Sequence, residues 1–474
     1  MRSFLFSMQR QTYNNLLFLS ILLTGAIIFG FQLHYALCYA PVYCDSGYYL
    51  AIAQQANLGH HLYSDIVCGY PPLWIYLIAG ILRLFPNAPY EFWLCFQALV
   101  TLATATIAGL LTWQQSHSRT AASLSGWLFA CSTFGLGGEA LLLEIPSLGF
   151  GLLSAYLIFQ ERKSWEHLLL AGIAAACSAA TKQYGAGFIL LNGALLLVTS
   201  RRKLRDTLIF IAGVALPLIV LAGINPAIVQ TLQTGYGTSS HADNVYQDQP
   251  LLRYIPEAAR LLFLSLLPSL FFLLYIPFYK NIAQAVLLLW CIGGILGFLG
   301  QFYFNNGDHY YLYLMGFGAI AIGCMAAYCK HTHWIPAAIY LMLTIYTLSC
   351  LRTRYKEWWW YRPGDKARET ALTQTICDYT TEDDRLQIFN AEDIGQYFLT
   401  RRTPPVINGK ISYSFGALAL TDELVSYRIR HTDYILKRKD LEWEFKVCDS
   451  IQNLLSQCDT LYSDDRLDLL STRH

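Results

Sequence analysis

LLFLSILLTGAIIFGFQL, residues 16–33, carries no charged side chain over 18 consecutive positions. As a helix rising about 1.5 Å per residue it covers about 27 Å, close to the roughly 30 Å hydrocarbon core of a bilayer. Met1 to Asn15 place Arg2 and Arg10 ahead of this run with no small-residue cleavage site, so the segment reads as an uncleaved signal anchor and a first span. Apolar stretches recur at 92–113, 119–136, 141–160, 167–181, 184–199, 206–224, 255–278, 282–302, 309–328 and 334–351. The expected fold is a mostly α, polytopic membrane protein with about 11 to 13 transmembrane helices.

Composition agrees and excludes other classes. Of the 474 residues 55% are hydrophobic and 14% charged, and the mean hydropathy is +0.35; a soluble domain carries about a quarter charged residues. A net charge of +1, with no Lys/Arg run that looks like a nucleic-acid tail, offers nothing to nucleic acid. No internal repeat suggests a transporter built from two halves.

The cations set the orientation. With the N-terminus cytoplasmic, Arg119, Arg162-Lys163, Arg201-Arg202-Lys203 with Arg205, Lys280 and Lys330 all fall in cytoplasmic turns. Leu73 to Phe85 breaks this parity: as a full crossing it would place the Arg201 cluster outside. It is also short for a crossing, so it reads as re-entrant or interfacial. The external face then receives a long first loop, 37–91, the turn Gly137-Gly138-Glu139 with Glu144, the break at Thr181 to Tyr184, the loop 235–250 and everything after Leu351. Residues 1–351 are expected to form the membrane domain. Residues 352–474, richer in charge, alternate β-like runs (Leu386 to Phe389, Tyr434 to Leu436) with helical ones (Lys366 to Tyr379, Asp393 to Leu399) and read as a small extracytoplasmic α/β domain.

Of 13 cysteines, Cys44 and Cys68 share the first loop and Cys448 and Cys458 the C-terminal region. Either pair could close a disulfide in an oxidising compartment. No Cys/His spacing matches a zinc site.

The first loop has a recognisable order: Asp45-Ser46-Gly47-Tyr48-Tyr49, then Leu58-Gly59, Tyr63-Ser64-Asp65 and Tyr70-Pro71-Pro72-Leu73. It resembles the first extracytoplasmic loop of the GT-C glycosyltransferases, most closely the group of protein O-mannosyltransferases and aminoarabinose lipid A transferases. Weaker matches follow in order at Leu143-Glu144-Ile145-Pro146, Thr181-Lys182-Gln183-Tyr184-Gly185, His309-Tyr310-Tyr311-Leu312, and Tyr397 to Arg401 with Pro404-Pro405. The resemblance implies a GT-C fold and transfer of a sugar from a polyprenyl-phosphate donor to a hydroxyl of a glycolipid, polysaccharide or protein on the extracytoplasmic face, in the inner membrane if the cell is bacterial. A membrane transporter or lipid flippase without transferase activity is the alternative.

Such a transfer needs a base at the acceptor, positive charge near the departing phosphate, and a groove for the lipid tail. Asp45 is the candidate base, with a helix N-cap as its structural alternative. Many relatives have Asp-Glu where this chain has Asp45-Ser46, so Glu144 becomes the candidate second carboxylate, with Glu139 as a competitor; a helix-start charge ahead of Pro146 is its plain alternative. A divalent ion is left open, with Asp45 and Glu144 as its ligands if one is used. Some relatives place Lys before Pro-Pro, whereas here Gly69-Tyr70 stands there, and Lys182 is the substitute for the phosphate unless it snorkels. Tyr70, Gln183, His309 and Tyr310 join it as candidate substrate contacts. Asp65 is another, unless it simply hydrogen-bonds the backbone of its turn.

Overall fold

The computed structural model describes residues 2–42, 44–161, 163–228, 282–299, 311–328, 364–389, 393–407, 409–413, 422–439 and 449–473. The expected spans at 255–278 and 334–351 lie outside these residues. The chain is mostly helical: α1 (Arg2–Tyr39), α2 (Cys44–Asn57), α3 (Pro72–Leu84), α4 (Tyr90–Ser116), α5 (Arg119–Thr133), α6 (Glu144–Ile158), α7 (Trp165–Thr181), α8 (Ala186–Thr199), α9 (Lys203–Ile224), α10 (Ile282–Leu299) and α11 (Tyr311–Tyr328) precede a C-terminal region of mixed structure. Among the described residues three helices are long and apolar enough to cross a membrane, at Asn15–Tyr39, Tyr90–Ser116 and Lys203–Ile224; others, such as Glu144–Ile158 and Tyr311–Ala327, are apolar but shorter.

The shortening has local causes. The apolar run expected as a span from 141 begins its helix at Glu144, where Pro146 sits in the first turn and its missing N–H is not needed. The run expected from 184 opens as a 3-10 turn, Gln183–Gly185, before α8 begins.

The chain divides into two compact units. The first comprises residues 1–37, 91–220 and 249–359. Its helices approach through small residues. A Cβ on Gly172 of α7 would lie 2.1 Å from the Phe210 carbonyl oxygen of α9, and one on Gly213 would lie 2.2 Å from that of Leu169. Backbones this close gain dispersion contact where the hydrophobic effect between helices is absent. Asn192 ties this packing with its amide, donating to the Gly151 carbonyl at 3.0 Å and accepting from the Trp290 indole at 2.8 Å.

The second unit comprises residues 38–90, 221–248 and 360–474. Its C-terminal part adds α12 (Asp365–Tyr379), α13 (Gly395–Thr400), α14 (Asp422–Arg430) and α15 (Asp449–Ser456) to strands β1 (Leu386–Ile388), β2 (Val406–Ile407), β3 (Lys410–Ile411), β4 (Tyr434–Arg438), β5 (Asp459–Ser463) and β6 (Leu467–Ser471). The main sheet has the order β1-β4-β6-β5, with β1 parallel to β4 (Leu386 opposite Tyr434) and the other pairs antiparallel. Phe389, Val425, Ile429, Ile435, Ile451 and Leu470 form its core.

Backbone and side-chain hydrogen bonds tie the first loop to this C-terminal region. Val42 N–H donates to Glu369 at 2.8 Å, Val67 N–H to Ile411 O at 2.8 Å, Ile411 N–H to Asp65 O at 2.7 Å, and Lys410 to Tyr63 O at 2.7 Å. Beyond α3, Arg401 donates to the Asn87 side chain at 2.8 Å. The segments on either side of α3 are therefore bonded to the same C-terminal region, and a 13-residue helix rises only about 20 Å, short of the roughly 30 Å hydrocarbon core. Cys68 and Cys458 are free thiols here.

Two measurements follow from this arrangement. With the exposed Cys38, Cys95 and Cys377 replaced by Ser, Asn87→Cys should react with a membrane-impermeant thiol reagent added from outside, while His117→Cys should not; labelling of both or of neither breaks the assigned topology. The carboxyls of Asp384 and Asp468 also titrate below the usual carboxylate range. Burial pushes both up but is outweighed, for Asp384 by Thr381 donors and Arg473, and for Asp468 by Lys437 and Ser463. Depressed folded values stabilise above the unfolded value, near pH 4, and that stabilisation is lost as pH falls. Hydrogen exchange, corrected for its intrinsic pH dependence, should lose protection in β4 and β6 between about pH 6 and about pH 3.

Candidate active site

Asp45 lies in the first turn of α2, which begins at Cys44. An N-cap was the structural alternative for Asp45; the helix begins one residue before it, which places the carboxylate inside the helix instead. There it is partly exposed and close to the positive end of the helix, which favours the ionised form. The rest of the helix is fixed by burial, since Tyr48, Tyr49, Leu50, Ala51, Ile52 and Ala53 are all buried. Gly47 permits that burial: a Cβ there would fall 2.4 Å from the Gly395 Cα. The glycine of the Asp-Ser-Gly-Tyr motif is thus the point at which α2 meets α13.

Tyr70 joins this helix through its ring. It packs edge-to-face with Tyr49 at 5.2 Å and with Tyr48 at 5.8 Å between centroids, and those two meet each other at 5.9 Å. The Tyr63 hydroxyl donates to the Tyr70 carbonyl at 2.7 Å and the Cys68 thiol to the same oxygen at 3.4 Å. Burial raises the Tyr48 hydroxyl well above its ordinary pKa and pushes the Cys68 thiol up to about 12, so both stay protonated near neutral pH. Nothing in the spacing of Tyr48 and Tyr49 marked them as partners of Tyr70, because the contact joins two segments separated by a turn.

Asp65 accepts from the His61 N–H at 2.7 Å, and this bond holds its carboxyl below the usual range. The turn it closes includes Tyr63, whose φ of 70° is left-handed and costly for a side chain of this size. Asp65 thus has the architectural role read for it. The residue also passes its carbonyl to Ile411.

Glu144, Lys182 and Gln183 belong to the other unit. Glu144 stands in the first turn of α6, and Lys182 is the residue on which α7 ends as the backbone turns extended. Each charge is thus at the helix end that favours its sign. The two meet at 2.8 Å with side-chain exposures of 0% and 1%. Lys182 therefore reaches an anion rather than snorkelling, and the anion is Glu144. Around the pair, Ser147 and Ser178 donate to one another's carbonyls at 3.1 and 2.7 Å, stitching α6 to α7. Gly185 allows the chain to fold back after Lys182, since a Cβ there would lie 2.2 Å from the Ser178 carbonyl. Gln183, in the following 3-10 turn, has a side-chain oxygen buried without a hydrogen-bond partner. Tyr313 of α11 is also fully buried in this unit. The serines could have been suspected from the sequence as hydroxyls in apolar runs, but their pairing could not.

His309 and Tyr310 lie outside the described residues. No group of three or more His, Cys, Asp or Glu side chains that could hold a metal ion occurs among the described residues. Glu144 faces an ammonium, and no step is derived through a divalent ion.

A buried pair broken on one side leaves a charge unmatched at a cost of about 3 to 5 kcal/mol. Lys182→Met and Glu144→Gln should each destabilise the detergent-solubilised protein by about that amount. Combining them should recover much of the loss, seen as strong coupling in a double-mutant cycle of unfolding midpoints; additive losses would contradict the pairing.

Residues 31–230 match the family model described as dolichyl-phosphate-mannose-protein mannosyltransferase. This range contains Asp45, Asp65, Tyr70, Glu144, Lys182 and Gln183. No curated protein matches the chain by sequence. Among solved structures it is similar to ArnT from Cupriavidus metallidurans in the apo state, with a TM-score of 0.60 and 14% identity over 96% of this chain and 97% of that one. The same protein bound to undecaprenyl phosphate gives 0.61 and 12% over the same shares. The archaeal oligosaccharyltransferase AglB from Archaeoglobus fulgidus, in complex with an inhibitory peptide and a dolichol-phosphate, gives 0.58 and 11%, over 90% of this chain and 70% of that one. By the family model over residues 31–230 and by fold over nearly its whole length, the chain is similar to the GT-C group to which its first-loop motifs pointed.

Proposed function

We propose that the protein is an integral-membrane glycosyltransferase that moves a sugar from a polyprenyl-phosphate donor to a hydroxyl acceptor on the extracytoplasmic face. The observation that supports this reading most is the placement of Asp45: partly exposed, immediately ahead of the buried stretch Ser46 to Ala53 of its helix, within a segment matched by the mannosyltransferase model. The two ArnT and AglB structures named above were solved with undecaprenyl phosphate and dolichol-phosphate respectively, which favours a lipid-phosphate donor here. The acceptor is a glycolipid, a polysaccharide or a protein hydroxyl.

In the proposed reaction the acceptor oxygen attacks the anomeric carbon of the donor sugar. The bond from that carbon to the phosphate oxygen breaks, and its electron pair leaves with the lipid phosphate. Asp45 accepts the acceptor's proton, and the stereochemistry at the anomeric carbon inverts. The position of Asp45 suits this task because a carboxylate near a helix N-terminus stays ionised and ready to accept a proton. Lys182 is the proposed phosphate contact. Its ammonium carries the positive charge that a departing phosphate needs. Glu144 then sets the position of that ammonium, in addition to its proposed role as a second carboxylate. Asp65, Tyr70, Gln183, His309 and Tyr310 complete the proposed substrate contacts.

The test is sugar transfer or release from a radiolabelled polyprenyl-phosphate sugar by purified protein. Asp45→Asn keeps the shape of the side chain and removes its basicity, so turnover should fall by about 10² to 10⁴ with the unfolding midpoint unchanged. Normal turnover in that variant would remove Asp45 from the mechanism.

A further inference from the structure

A small cavity of about 20 Å³ lies in the first unit, walled by α1, α4 and the turn that follows α5. Its polar wall consists of Gln32, Thr101, Thr133 and Glu139. Gln32 is 3% exposed; its amide nitrogen donates to the Cys131 carbonyl at 2.8 Å, while its amide oxygen is buried without a hydrogen-bond partner. The Thr101 hydroxyl donates to Gln97 O at 3.0 Å, and the Thr133 hydroxyl to Ala130 O at 2.8 Å. These three side chains have thus committed hydrogens to the backbone elsewhere, and each keeps oxygen lone pairs. Buried polar atoms in folded proteins are rarely left unmatched, so an unpaired amide oxygen on a side chain that lines a void points to an occupant.

The turn is shaped around this cavity. Gly137 adopts a left-handed φ of 76°, and Gly138 N–H donates to Thr133 O at 2.8 Å. A Cβ on Gly138 would lie 2.6 Å from the Thr133 Cβ. Two consecutive glycines thereby bring Glu139 back beside Thr133, and the cavity gains a carboxylate. Carboxylates offer about four lone-pair positions, so this role is compatible with other contacts of Glu139.

We propose that the cavity is a binding site for a small monovalent cation of sodium size. The chemistry of the wall supplies the argument. The uncommitted oxygens of Gln32, Thr101 and Thr133 are hard acceptors, which suit a hard cation, and the second amide hydrogen of Gln32 is the one donor these three side chains retain. The volume holds one occupant the size of a water molecule, since about 10 to 15 Å³ is enough for one. A single carboxylate in the set matches a single positive charge. By binding residues from α1, α4 and the turn after α5 at once, the ion would lock these three elements together. The site is independent of the proposed transferase activity.

The experiment uses the full-length protein in detergent, with sodium ion as the probe. Its thermal unfolding midpoint is measured in increasing NaCl, with choline chloride holding the ionic strength constant. A saturable rise with sodium is expected, because a ligand bound by the folded state alone stabilises it by mass action. Gln32→Leu should abolish the rise. Thr133→Val serves as a second variant should the first fail to fold, and should weaken the rise by raising the half-saturating concentration. Equal midpoints in sodium and choline would overturn the proposal and leave water as the occupant. A sodium response that persists unchanged in either folded variant would overturn it as well, by placing the ion elsewhere.

Discussion

A charge buried in an apolar helical unit must be matched within the protein, and the contact between Glu144 and Lys182 satisfies this constraint where α6 and α7 meet. Either residue alone would be costly at essentially zero exposure. Together they sit at helix ends whose partial charges favour them, so the chain can interrupt its apolar runs at just these places. The interruptions matter in turn. They shorten α6 and α7, open the 3-10 turn at Gln183–Gly185, and bring Ser147 and Ser178 face to face. A pair of this kind contributes little net stability compared with well-packed apolar residues of the same volume, which suggests that it is retained for position.

In the second unit the organising principle is hydrogen bonding between distant segments. The first loop is short of regular structure after α2, and its exposed backbone groups find partners in β3 and around it. Ile66 bridges Ile411, and Val67 and Asp65 exchange backbone bonds with the same residue. Asn225, a polar residue just past the end of a long apolar helix, donates to Leu62 O at 2.8 Å and to the Tyr76 hydroxyl at 3.1 Å. Asp45 is consequently presented by a scaffold built from three separated parts of the chain. Support of this sort suits the role proposed for Asp45, since a base has to stay in place while an acceptor hydroxyl approaches.

Much of this was legible beforehand, for identifiable reasons. Helices such as Tyr90–Ser116 and Lys203–Ile224 declare themselves because a long uncharged run has few other ways to satisfy its backbone in hydrocarbon. The C-terminal helix and strands around 366–379, 386–389 and 434–436 were readable from the change to alternating and amphipathic patterns. The role of Asp65 in its turn follows from the habit of Asp side chains to bond nearby N–H groups. Less legible was Lys182. A lone lysine at a helix end predicts snorkelling or an anion equally well, and 38 positions separate it from the carboxylate that decides the matter.

The sequence by itself determined the membrane class, most helix positions, and the order of first-loop motifs that carries the likeness to GT-C proteins, because hydropathy, capping and turn chemistry act over a few residues. Only the tertiary structure decided that Lys182 pairs with Glu144, that Tyr70 packs on Tyr48 and Tyr49, and that the segments on either side of α3 are bonded to the C-terminal region. Those are contacts between segments far apart in the chain. Which of several compatible partners a buried charge or aromatic ring meets is fixed by how the backbones approach, as at Gly47 against Gly395 and Gly185 against Ser178, and local sequence carries no record of that approach.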